Sequence, residues 1–94
     1  MAAKIEVEKT GNLEFRARII EKGSETTHTV TMNHADYLRL TGRKITPEEL
    51  LRKSFEFLLE REPKESILPS FDLSAISHYF PEYERQVKKW TANR

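Results

Sequence analysis

Ninety-four residues, 37% hydrophobic and 33% charged, are enough for one small domain, and five Phe, three Tyr and one Trp give it core anchors that a disordered chain lacks. Sixteen Lys and Arg against fifteen Asp and Glu leave a net charge of +1, so no strong field draws in nucleic acid or an anionic membrane. The chain has no cysteine, which excludes disulfides, thiolate catalysis and Cys-based zinc sites, and no apolar run is long enough to cross a membrane.

The N-terminal MAAKIEVEKTG lacks the apolar core of a signal peptide and runs directly into a strand, so the expected setting is the cytoplasm. Residues 4–9 alternate, with Ile5 and Val7 on one face and Glu6 and Glu8 on the other. After the turn at Thr10-Gly11-Asn12, residues 13–20 alternate more cleanly: Leu13, Phe15, Ala17 and Ile19 oppose Glu14, Arg16 and Arg18. Lys22-Gly23-Ser24 is a second turn. Residues 26–32 form a third strand with Val30 and Met32 inward and Thr27, Thr29 and Thr31 outward. Short turns make these strands antiparallel neighbours, and KIEVEK and TTHTVTM are then the two free edges. Charge selects the register of the first pair. Setting Glu6 opposite Arg18 and Glu8 opposite Arg16 joins opposite charges, whereas the next register opposes Glu8 to Glu14.

Asn33 is placed to cap a helix over residues 34–41, ended by Gly42, with Leu38 and either Tyr37 or Leu40 turned inward. The main helix is expected over residues 47–62. Thr46 is its N-cap, Pro47 suits the first helical position and Glu49 completes a Thr-x-x-Glu capping box. Ile45 and Leu50 are spaced for a hydrophobic staple, and Pro63 stops the helix. Its apolar residues, Leu50, Leu51, Phe55, Phe57, Leu58 and Leu59, spread over roughly half the circumference. Such an arc is too wide for a helix that covers only a sheet. Leu51, Phe55 and Leu58 are expected against the strands, and Phe57, Leu50 or Leu59 against the C-terminal segment or another subunit.

Residues 64–72 read as a loop tacked to the core by Ile67, Leu68 and Phe71. Ser70 or Asp72 then caps a short helix over residues 73–80, and Pro81 separates it from a last helix over residues 82–90 carrying Tyr83, Val87 and Trp90 at helical spacing. Residues 91–94 are expected to fray. The whole is an α+β domain spanning 1–94, β-β-β-α-α-α-α, a three-stranded antiparallel β-meander with its helices packed on one face.

Chemistry is sparse. His34-x-Asp36 with His28 on the preceding strand lacks the spacing of a metal centre, and lone histidines are mostly surface or strand-end residues. Ser66, Ser70, Ser74 and Ser77 lie near His78, but none sits in a nucleophile turn. Glu82 and Glu84 beside Arg85 read as solvated carboxylates, and the three glycines form no phosphate-binding array. No catalytic residue, cofactor or metal is assigned. Two functions remain. The first is a non-enzymatic protein-interaction or self-association module, acting alone or as a homo-oligomer, resting on the wide apolar arc and the aromatic-rich end. The alternative is a DNA- or RNA-binding regulator. Its contacts would be Arg16 and Arg18 on the outer sheet face, Arg43 and Lys44 before the main helix, and Lys88 and Lys89 near Trp90. Mixed charge on those faces (Glu6, Glu8, Glu14, Glu56, Glu60) favours the first.

Residues 47–84, PEELLRKSFEFLLEREPKESILPSFDLSAISHYFPEYE, resemble a family of short bacterial proteins with a SFEFLLERE-P-SIL-SFDL-I-YFPEYE pattern. The HTVTM strand and the LTGRKITPEEL entry extend the resemblance over most of the chain. It implies a bacterial cytoplasmic protein and transfers no catalytic or binding residue. The main helix also resembles the second half of ribbon-helix-helix or antitoxin proteins, an analogy of fold alone.

Overall fold

A computed structural model describes residues 3–92. Strands β1 (Lys4–Gly11), β2 (Glu14–Glu21) and β3 (Ser24–Thr31) form an antiparallel meander. Glu6 lies opposite Arg18 and Glu8 opposite Arg16, the register that charge selects. Both hairpin strands of the second turn run further than their sequence pattern suggests, because Lys22 (φ 53°) and Gly23 (φ 79°) make a two-residue turn whose twist matches the ladder. Leu13, expected in the second strand, instead occupies the first turn at φ 57° and its carbonyl accepts from the Met32 N–H.

The sheet has a fourth strand. β4 (Ser70–Asp72) pairs parallel to β3 over Thr29–Thr31, giving the order β1-β2-β3-β4. The expected three-stranded meander with β3 as a free edge is therefore corrected to a four-stranded mixed sheet. One sheet face is apolar and buried: Phe15, Ala17 and Ile19 from β2, His28 and Val30 from β3. Arg16 and Arg18 stand exposed on the other.

The helices follow their caps. In α1 (His34–Thr41) the Asn33 side chain accepts from the Ala35 N–H, and Gly42 closes the helix in the left-handed region at φ 59°. Tyr37 is its buried residue on the core side, its hydroxyl donating to the Ile45 carbonyl, while Leu38 and Leu40 are half-buried. In α2 (Pro47–Leu59) Thr46 accepts from the Glu49 N–H at 3.1 Å, and Ile45 and Leu50 are both buried as the staple requires. The helix ends three residues before the expected 62. The Arg61 N–H turns to the Leu58 carbonyl, a tighter bond than the helical one, and the Arg61 guanidinium takes the Phe57 carbonyl.

Residues 64–72, expected as a loop, hold a short 3₁₀ turn (Lys64–Ser66) and β4. Asp72 rather than Ser70 receives the start of α3 (Ser74–Tyr79), accepting from the Ser74 N–H and hydroxyl and from the Thr31 hydroxyl across the sheet. After Pro81, α4 (Tyr83–Thr91) buries Tyr83, Val87 and Thr91. Thr91, expected to fray, is held by bonds to the Val87 and Lys88 carbonyls; residues 93 and 94 lie outside the described residues.

Candidate functional site

The wide apolar arc of α2 is covered on two sides. Phe55 faces the sheet, its ring 5.5 Å from His28 and 6.0 Å from Phe71. Phe57 points the other way, into an edge-on cluster with Phe80 (5.9 Å), Tyr83 (5.4 Å) and Trp90 (6.5 Å). The C-terminal segment is thus the partner that the helix's second apolar stripe requires. Beside this cluster, the Ser54 hydroxyl donates to the Leu50 carbonyl at 2.7 Å, which leaves Tyr83 to donate to Ser54 at 2.6 Å. Burial pushes the Tyr83 phenol well above its ordinary range, only partly offset by the Ser54 bond, so this hydroxyl is a fixed structural donor. The Arg61 guanidinium seals the cluster, 3.6 Å from the Phe57 ring centroid and paired with Glu82 at 3.1 Å.

The remaining side of α2 is open. Between its last turn, the 63–71 connection and α3 lies a cleft of about 340 Å³. Leu58, Ile67 and Phe71 line it from the core side, and Ala75, Ile76 and Phe80 from the α3 side. Leu68 (48% exposed) and Tyr79 (65%) stand at its mouth, the large apolar side chains left exposed among the described residues. Polar groups are few: Glu62 and Ser66 at the rim.

The 68–73 segment that carries Leu68 and Phe71 is pinned to β3. His28 donates from Nδ1 to the Leu68 carbonyl at 2.7 Å, and its Nε2 lies 2.8 Å from the Thr26 hydroxyl. The Thr29 N–H donates to the Pro69 carbonyl, and the Leu73 N–H to the Thr31 carbonyl. Lys64 is also buried, its ammonium 2.8 Å from Glu65 and 3.8 Å from Glu21, tying the 3₁₀ turn to the β2–β3 hairpin. The sequence pattern set His28 aside as a lone histidine and gave Lys64 no role of its own. His28 shares the parity of Val30 and Met32, and that parity was the available signal.

The other candidate residues are dispersed. His34 is exposed at the start of α1, Asp36 lies 3.8 Å from Arg39, and among the described residues no group of three or more His, Asp or Glu is arranged for a metal ion. Ser74 is bound to Asp72, Ser77 to Glu84, and the exposed His78 ring rests edge-on against Tyr79. Glu82 and Glu84 are not free carboxylates beside Arg85. A backbone hydrogen bond and Arg61 lower the pKa of Glu82, and the Arg39 guanidinium, 3.0 Å away, lowers that of Glu84.

The cationic candidates divide. Arg16 is 4.0 Å from Glu8, and Arg18 is paired with Glu6 and lies 3.9 Å from Glu25, so the outer sheet face balances its own charge. Arg43, Lys44, Lys88 and Lys89 are exposed on the α1–α2 connection and on α4. The sheet edge is also defined. Thr29 and Thr31 turn their backbone groups to β4, so alternation across the ladders leaves the N–H and C=O of Ile5 and Val7 facing outward from β1. Lys4, Glu6, Glu8 and Lys9 surround them, a composition that discourages strand pairing. Among the described residues, no helix is long and apolar enough to cross a membrane.

No family model, curated protein or solved structure matches this chain.

Proposed function

We propose that the protein is a non-enzymatic interaction module and that the cleft beside α2 is its docking surface, taking a short apolar segment of another protein. The observation that carries this reading is the pairing of an exposed Leu68 and Tyr79 with an apolar recess beneath them. Apolar patches rimmed by polar residues mark sites of association, and a buried anchor in a pocket supplies most of the energy of such contacts. The volume lies near the lower end of small-molecule sites, about 300–1,000 Å³. Its open mouth suits side chains projecting from another chain better than an enclosed ligand. Hydrogen bonds from His28 and Thr29 hold the backbone at Leu68 and Pro69 in place before any partner arrives, which reduces the ordering cost of binding.

A bacterial cytoplasmic setting belongs to the same proposal. The sequence pattern behind the family resemblance supplies much of the lining, with Leu58, Ile67, Leu68, Phe71, Tyr79 and Phe80 all inside it.

Selection of displayed random peptides against the folded protein tests the reading. The expected result is enrichment of apolar peptides whose affinity falls at least about tenfold with Leu68→Asp, while the urea midpoint stays near that of the parent. Failure to enrich any sequence, or enriched peptides indifferent to Leu68→Asp, would overturn it.

A further inference from the structure

The rim of the cleft carries one charged side chain, and among the described residues it has no ion-pair partner. Between residues 58 and 80 the chain has two permanently cationic side chains, Arg61 and Lys64. Both are committed elsewhere: Arg61 to Glu82, Glu60 and the Phe57 ring, Lys64 to Glu65 and Glu21. Glu62, half-buried on the cleft wall, is left without an ion pair among the described residues, its backbone N–H alone engaged, by the Leu58 carbonyl. Among the described residues no cationic side chain lines the cleft.

A carboxylate beside an apolar recess rewards a particular partner. A neutral apolar segment that covers Glu62 strips water from it and returns nothing, and an acidic one adds repulsion. A segment that seats an apolar side chain in the recess and sets a Lys or Arg beside it covers the carboxylate and pairs it at once. We infer that the docking cleft selects basic apolar segments, with Leu58, Ile67, Phe71 and Ile76 receiving the apolar anchor and Glu62 pairing the cation next to it. This inference rests on the docking role proposed above and adds the charge of the partner to it.

Amide chemical-shift titration of the labelled protein separates the two. The probes are three acetylated, amidated hexapeptides sharing a Leu-Leu centre flanked by Lys, by Gln or by Glu. The expected result is that all perturb amides around Ile67, Leu68 and Ile76, with the Lys peptide binding about three- to fivefold tighter than the Gln peptide and the Glu peptide weakest. Glu62→Gln should remove the Lys advantage without weakening the Gln peptide, and Glu62→Lys should reverse the order. Equal affinities for the three peptides at the cleft would overturn the charge selection and leave the docking role standing. Perturbations outside the cleft, or none with any peptide, would overturn both.

Discussion

The two flanks of the last turns of α2 are built from the same kinds of residue and finished differently. On one flank Phe57 meets Phe80, Tyr83 and Trp90, and Arg61 closes the top. On the other, Leu58 opens onto a recess whose mouth is Leu68 and Tyr79. Phe80 stands between them, touching Phe57 on the closed side and lining the cleft on the open one. Apolar character alone therefore does not distinguish a closed core from an open cleft. What differs is whether the chain returns to cover the residues, as α4 does for Phe57 and no described segment does for Leu68.

Substitutions on the two flanks should separate by magnitude. Phe57→Ala removes a ring packed on three others and should cost about 3–5 kcal/mol in urea unfolding. Leu68→Ala at the cleft mouth should cost about 0.5 kcal/mol, as surface changes do. Comparable costs at both positions would erase the contrast between a closed core and an open cleft.

His28→Ala sharpens the comparison from below, because His28 belongs to the core yet holds the backbone of the segment that carries Leu68. It leaves the Leu68 carbonyl without its donor and the Phe55 ring without one of its two ring neighbours, an expected loss of about 2 kcal/mol. Hydrogen exchange should quicken at Thr29 and Leu73, whose amides bind the 69–73 segment to β3, before it quickens in α4. Uniform acceleration across the protein would show that the 69–73 segment has no independent motion.

The smallest effect is on acid stability. Glu84 is held below its ordinary 4.5 by Arg39. For Asp72 burial raises the pKa, but bonds from Thr31 and Ser74 outweigh it and leave it below 3.8. Both groups therefore release protons more readily in the folded state than in the unfolded one. Their contribution is complete above the ordinary carboxylate values and is lost as pH falls through them toward the depressed folded ones. A urea midpoint followed through that range should decline, and Asp72→Asn with Glu84→Gln should flatten the decline. An unchanged slope would remove these two carboxylates from the account.

Local chemistry made much of this architecture legible. The caps at Asn33 and Thr46, the stop at Gly42 and the Glu6–Arg18 register each follow from residues within a few positions or from one charge pattern. The wide arc of α2 likewise announced a second partner, which is α4. β4 was not legible. Three residues after Pro69, only one of them apolar, carry no alternation, and their pairing depends on bonds to Thr29 and Thr31 some forty positions away. The cleft was hidden for the same reason, since it exists only where β4 and α3 stop short of α2. Leu68 read as an anchor that tacks a loop to the core, and it is the backbone carbonyl of Leu68, held by His28, that does so.

On the proposed reading the open flank of α2, and not the sealed one, meets a partner. Shift mapping with the tightest peptide from the display selection tests it most directly. Perturbed amides should be confined to residues around Leu58, Ile67, Leu68, Phe71, Ile76 and Tyr79, with Val87 to Thr91 and the outer sheet face unmoved. Perturbations centred on α4 or on the Arg16–Arg18 face would contradict it.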